Sequence, residues 1–598
     1  MSHELALRFS EKCYSHLEIA HFKDNFKSLA DHQDDVEYWK EETLRQFLAL
    51  PESIHAGSVL YAMVTYLGAF PFPSLAPCIV TREAMLKVVT ILTGRYKRIL
   101  QRGDQDRIKL LFRSMAMFDR VPNSLAEHPS HGDEKLQTSA TGFDIDQPMN
   151  EDEDEEDDDL ALAALDALDA IEVFKHDHRQ DRKIHRAHIP ADNFEKIVML
   201  MLLLAPLTPQ DNIAVITSDL SGTKLSELRS SSRAVVAAFV TDEKASISYS
   251  RFVKTMTMLT SQLFRPFSPL FEHFMFSKQL DLSKHKNTTV VGQPAANSSR
   301  SPIRLDSGLA SSSTILNDIL LAQLSFSLEI ASVNSPSANP FFHSGCRIDQ
   351  IYSTSNQGTS LSSFSRQVLS WRAPSLFILR GTHNDTVYTL CAYLPDPWHD
   401  TSSTHSPAPS KEAVLFQLTP RHAVFRANPT NTTIPTTHLS TKTGIALGCV
   451  VPPSSKIHAS PKPPTLGPAS LLIDQDLATA TFQHDASIGT GAFLTDPLLE
   501  EDQRDNIPGT QSAKIQLDID EVEVWGISFP ARGGGDGDGD DAIAKQRRLL
   551  EWEEEEAARR REVNFGSDEN GARNLLEMAG IVGGDNNKRS GGSMEWRE

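Results

Sequence analysis

The stretch Ile351 to Trp398, IYSTSNQGTSLSSFSRQVLSWRAPSLFILRGTHNDTVYTLCAYLPDPW, decides how the chain is read. It divides into a short entry strand, a helix over 361–369, and two strands, 376–380 and 387–393, joined by a Gly-Thr-His-Asn-Asp turn. The helix follows from Ser360 as N-cap and from Leu361, Phe364, Val368 and Leu369 falling on one face. The strands follow from β-branched and aromatic content around a turn rich in Gly, Asn and Asp. Ser360 also has the placement of a nucleophile before a helix, yet capping suffices to explain it and no base is assigned to it.

Downstream, strands are predicted over 413–418 and 444–450, a further segment over 471–482, and a last strand over 515–529, with Pro-, Ser- and Thr-rich loops between them. In the last strand Ile515, Leu517 and Ile519 alternate toward one face. Short strands separated by long polar loops predict an antiparallel sandwich with a few helices. Upstream, the pattern is helical. Phe9, Cys13 and Leu17 step at four, Phe22, Phe26 and Leu29 share a face, and Met85, Val89, Leu92, Tyr96 and Ile99 continue the habit. Helical periodicity resumes over 194–207, 235–240, 252–264 and 315–328.

Length and charge set the frame. The 598 residues exceed one core, and a net charge of −21 repels bare phosphate backbones, so direct nucleic-acid binding is not expected. Glu151 to Asp159 is an unbroken acidic run inside a polar segment, 122–159, that lacks the apolar content to offset its chain entropy. The stripe Leu162, Leu165, Leu168 and Ile171 that follows is a short amphipathic helix, for core packing or for a partner. The most apolar run, Ile197 to Ala205, is too short to span a bilayer. A soluble, reducing-compartment protein is expected, because the 5 cysteines show no metal or redox spacing.

Four chemistries are conceivable from the residues. HFKDNF followed by YWKEETLRQFLALP has the feel of a helix-loop-helix unit related to EF-hands, but Asp31, Asp34 and Asp35 do not supply a calcium ligand array. The tail GGGDGDGDDA fails the same test, with Asp541 and Arg547 where Gly and Glu are needed. His176, His178, His185 and His188 cluster without cysteine, short of a closed zinc shell. No hydrolase, phosphate-loop or dinucleotide signature is present, so neither an enzyme nor a cofactor is expected. One enzyme-like alternative uses Cys391 or Cys449 as an oxidant-consuming thiol.

Tyr352-Ser353-Thr354, Gly358-Thr359-Ser360-Leu361, Phe364 and Pro397-Trp398 resemble the core of a TLDc domain. Further blocks fall in family order: Glu412 to Leu418, Gly444 to Cys449 with Cys449 in place of a second Gly, Ala469 to Leu477, and Glu523-Val524-Trp525-Gly526. The replaced Gly puts the family's close backbone approach there in question. Ala69 to Phe72, Asp106 to Phe112, Phe364-Ser365-Arg366, Leu369-Ser370-Trp371, Leu575 to Met578 and Val582-Gly583-Gly584 are similar to the fungal restriction of telomere capping protein 5 family. The Met-Ser-His start departs from that family's Met-Gly-Gln, so myristoylation is not supported.

The resemblance implies an α+β chain: an all-helical N-terminal region followed by a TLDc domain, an antiparallel two-sheet β-sandwich with flanking helices. The expected divisions are a helical domain at 1–121, an acidic insertion at 122–159, continued helices at 160–285, a linker at 286–313, the TLDc domain at 314–530 and a charged tail with an exposed helix at 531–598. It further implies a non-catalytic cytoplasmic protein linked to oxidative stress resistance, to telomere capping and to regulating the V-ATPase through its peripheral sector. Arg366, Trp398, Glu412 and Glu523 are the candidate interaction residues, and Arg366, Glu412 and Glu523 can equally serve buried ion pairs.

Overall fold

A computed structural model describes residues 2–33, 36–71, 79–99, 104–118, 184, 187–209, 211–218, 220, 222–240, 246–276, 313, 315–330, 339–341, 346–400, 409–451, 463–504 and 514–528. The acidic run, the amphipathic stripe at 162–171, His176, His178, His185 and the tail 531–598 lie outside the described residues, as do Asp34, Asp35 and Cys78.

The N-terminal half repeats one theme, a short strand leading into a helix. Strand β2 (Val36–Trp39) precedes helix Glu41–Phe47, pairs with β1 (Asp31–Gln33), and on its other edge meets β3 (Val80–Thr81), which precedes helix Arg82–Leu92. A second sheet repeats the arrangement: β4 (Met117–Phe118), β5 (Ala187–Pro190) before helix Ala191–Leu204, and β6 (Ser246–Ser248) before helix Tyr249–Met258. The expected helix-loop-helix unit is thus one of several, coupled through their strands. Leu17 departs from the expected apolar stripe and is exposed, because Ser15 and Glu18 form a capping box that starts a new helix, His16–Leu29. Ser-x-x-Glu is a start signal legible in the sequence.

The apolar run 197–205 forms the buried body of helix Ala191–Leu204. No helix among the described residues is long and apolar enough to cross a membrane.

The C-terminal half opens with helix Asp318–Ser325 and the pair β7 (Glu329–Ile330) and β8 (Asn339–Pro340). Its sheet contains β9 (Arg347–Ser353), β10 (Ser375–His383), β11 (Thr386–Leu394), β12 (Val414–Thr419), β13 (Ala423–Arg426), β14 (Thr437–Ser440), β15 (Gly444–Leu447), β16 (Ala469–Ile473), β17 (Thr479–His484) and β18 (Lys514–Ser528). Hydrogen bonding joins all of them in one antiparallel sheet, in the order β13-β12-β11-β10-β18-β17-β16-β15-β14 with β9 also on β18, where two separate sheets were expected. The sheet nevertheless folds over itself. Phe425 on β13 and Phe482 on β17 lie 5.7 Å apart although four strands separate them in the order, and Leu494 N donates to Arg426 O at 2.8 Å beside them.

The two halves share one core. Leu376 and Ile378 of β10, Cys391 and Tyr393 of β11, and Val414, Phe416 and Leu418 of β12 join the same apolar cluster as the N-terminal helices. Their neighbours Phe377, Leu379, Leu390 and Leu415 are buried as well, on the opposite face. A sheet covered on both faces explains why LFIL and LCAYL read as continuous apolar runs without alternation. The helices before 286–313 and the sheet after it pack on each other, and the contacts group them in one compact unit, Met1–Pro530.

Candidate functional site

The quoted stretch surrounds β18, the strand on which the sheet turns. Residues 518–526 of β18 pair with β10 along one edge, while on the other edge β17 takes 514–518 and β9 takes 523–528. The gap between β17 and β9 is filled by helix Thr354–Gln357, which begins inside the Tyr-Ser-Thr-Ser motif. Thr354 Oγ1 accepts from Val522 N at 3.0 Å, and Glu521 accepts from Ser353 Oγ and from Ser355 N, each at 2.9 Å, and from Ser355 Oγ. Tyr352 donates its hydroxyl to Gly358 O at 2.5 Å, and burial raises its pKa well above the usual phenol range.

Two residues on, Glu523 is wholly enclosed. Its carboxylate accepts from Ile315 N and Leu316 N at 3.2 Å and from Trp525 Nε1 at 3.0 Å, while Ser313 Oγ lies 3.0 Å from both oxygens. The charge is spread over donors of its own chain, which ties the entry of the domain to its final strand.

Aromatic packing completes the junction. Trp398 is buried, donates Nε1 to Ser375 Oγ at 3.0 Å and lies edge-on to Phe364, ring centroids 5.7 Å apart. Trp371 covers the backbone of Gly526, where a Cβ would come within 2.4 Å of its ring. Gly526→Ala is expected to cost about 2–3 kcal/mol through this overlap, read as a lowered denaturation midpoint; an unchanged midpoint would mean that the indole has room to move.

Of the candidate interaction residues, the structure leaves Arg366 and Glu412 on the surface. Trp398 and Glu523 are corrections: both are interior and act on their own chain, so neither is a surface contact. Ser360 occupies the N-cap of helix Leu361–Ser370, but its side chain makes no capping bond. The helix is held instead by burial of Leu361, Phe364 and Val368. The close approach questioned at Cys449 is supplied by Gly448, at φ 72°, where a Cβ would meet Phe493 and Ala469 O within 2.6 Å.

The two thiols are poor nucleophiles here. Cys391 and Cys449 are both buried, and burial raises both, Cys449 to about 12 and Cys391 further. Iodoacetamide at neutral pH is expected to leave both unlabelled in the folded chain and to label both in urea. Native labelling at the rate of a free thiol would restore the antioxidant reading. Among the described residues, no three His, Cys, Asp or Glu side chains gather as a metal shell would require.

The sequence missed a second buried polar cluster, at the seam between the halves. Asp502 on helix Pro497–Arg504 accepts from Arg251 Nη2 at 2.9 Å and also pairs with Arg421, all three being buried. Arg251 comes from helix Tyr249–Met258 and Arg421 from the turn between β12 and β13, so no local pattern announces the contact.

Comparison with known proteins places this architecture. The TLDc domain family profile matches residues 309–528. A restriction of telomere capping protein 5 from Aspergillus flavus is 40% identical over 99% of this chain and 97% of its own length. Proteins of the same description from Emericella nidulans and Trichophyton verrucosum are 39% and 36% identical, each over 98% of this chain, and over 92% and 97% of their own lengths. With relatives at this identity over almost its whole length and a TLDc domain at its C-terminal half, the chain belongs to the restriction of telomere capping protein 5 family.

Proposed function

We propose that the chain is a non-catalytic TLDc protein that works in the cytoplasm by binding another protein, with the peripheral sector of the V-ATPase as that partner and its assembly as the regulated step. The two arms of the sheet, folded over each other, serve as the layers of a sandwich that presents loops on a rigid body. A contribution to oxidative stress resistance and to a process that influences telomere capping follows from the same binding activity. The name shared by the relatives supports the second of these.

The observation that carries the reading is the fate of the polar groups around β18. Glu521 and Glu523 are held by donors of their own chain, and the thiols are shut in, which leaves the surface as the functional part. Arg366 and Glu412 are the surface positions from which to start mapping.

The test uses the full chain, since a fragment covering 314–530 alone would bare the sheet face that packs on the helices. Tagged full-length protein is mixed with the purified peripheral sector of the pump at physiological salt and passed over a sizing column. Co-elution is expected, and separate elution across the micromolar range would sink the proposal.

A further inference from the structure

We propose that His422 is an acid-sensitive pin, holding the helical half on the sheet while its ring is neutral and releasing it when the ring takes up a second proton. His422 follows Arg421 in the turn between β12 and β13 and has no exposed surface. Its backbone N donates to Ala234 O of helix Gly222–Ala237 at 2.8 Å. Its ring nitrogens meet Gln323 of helix Asp318–Ser325 and Ser327, so one residue fastens three parts of the chain.

The hydrogen bonds around the ring admit only one charge state. Gln323 Nε2 lies 2.8 Å from Leu418 O and 3.3 Å from His422 Nδ1. Its two hydrogens are thereby assigned, one to the carbonyl and one to Nδ1, which must offer a lone pair. The ring proton therefore sits on Nε2, 2.8 Å from Ser327 Oγ. A proton on Nδ1 would face the amide N–H. Reversing the amide does not help, because Gln323 Oε1 would then oppose Leu418 O. That oxygen has no hydrogen-bond partner among the described residues where it stands.

Among the described residues no carboxylate compensates the extra charge. Arg421, beside His422, is engaged with Asp502, which also holds Arg251. Glu501 lies 4.0 Å from Arg251 and 3.1 Å from Lys254, while Asp496 and His484 act on Arg421. The groups that meet the ring are neutral, Gln323 and Ser327, and the Ala234 carbonyl accepts from the backbone N of His422. Burial is the cause that holds the imidazole down, to about 4. The sign follows. With the folded value depressed, the contribution of His422 is complete above the ordinary histidine value of about 6.5 and is lost as pH falls from there toward about 4.

The seam is already under-satisfied, since Arg421 Nε and Asp502 Oδ1 are buried without partners among the described residues. Opening there exposes Phe416 and Leu418 of β12 and frees helix Gly222–Ala237.

Amide hydrogen exchange on the full chain tests this, following residues 222–237 at pH 7.5 and 5.5 after correction for intrinsic rates. Protection is expected to fall about tenfold at the lower pH. His422→Phe is expected to abolish the fall, and His484→Phe to retain it. His422→Asn provides a check if the Phe variant fails to fold: its amide keeps a polar group at the site without a titrating ring, and the fall should shrink below about threefold. An unchanged wild-type protection, or the same tenfold fall in His422→Phe or His422→Asn, would overturn the proposal.

Discussion

Asp502→Ala is expected to destabilise the folded chain by about 3–5 kcal/mol, read as a loss of denaturation midpoint by chemical unfolding. The substitution leaves the guanidinium groups of Arg251 and Arg421 in the seam without the carboxylate oxygen on which both converge. The size of the effect comes from stranded charge rather than from the strength of the pair. Replacing all three residues together by apolar side chains of similar volume should accordingly recover most of the loss. The neighbouring pair Lys254 and Glu501 offers an internal contrast, 3.1 Å apart but with the two side chains 53% and 38% exposed. Its removal should change stability by less than about 1 kcal/mol. If Asp502→Ala were as mild as Lys254→Ala, the seam would have to be open to water.

Glu523→Gln is expected to cost nearly as much as Glu523→Ala, about 3 kcal/mol or more. The near-isosteric change is severe because donors address both oxygens: Ile315 N one, Leu316 N and Trp525 Nε1 the other. Whichever way the amide is turned, an N–H meets an N–H. The first segment to loosen should be 313–316, so proteolysis or amide exchange there would rise before the sheet is affected. A Gln variant with native stability and native protection at 315–316 would show that the carboxylate charge is not what holds the segment.

Much of the architecture could be read from local pattern. The helix after Ser360, the strands on either side of the Asn384-Asp385 turn, and the final strand are where periodicity and turn chemistry put them, and both turn residues adopt the positive φ that such a tight hairpin turn requires. Strands β13 and β14 carry no such local signal, because each is only four residues long and bounded by loop-like sequence. The break after Cys13 was missed although its capping box is present in the sequence; a stride-of-four apolar pattern runs across it and masks the helix start.

The roles of the motif residues were less legible. Trp398 and Glu523 stood out as recognisable types, but residue type does not reveal which way a side chain points. In a sheet buried on both faces even the alternation that would tell inside from outside is lost. Arg366 and Glu412 remain on the surface because helix Leu361–Ser370 and the approach to β12 each keep one side open to water.

The amino-acid sequence by itself determined the division into a helical half and a strand-rich half and the TLDc character of the second. Those are properties of neighbouring residues, set by periodicity, capping and turn geometry. Only the tertiary structure decided that the halves share one core, that Arg251, Arg421 and Asp502 meet, and that His422 is enclosed between Ala234, Gln323 and Ser327. Partners separated by 81 to 251 positions leave no local trace, since the free energy that joins them comes from burial, and burial exists only once the chain has closed around them.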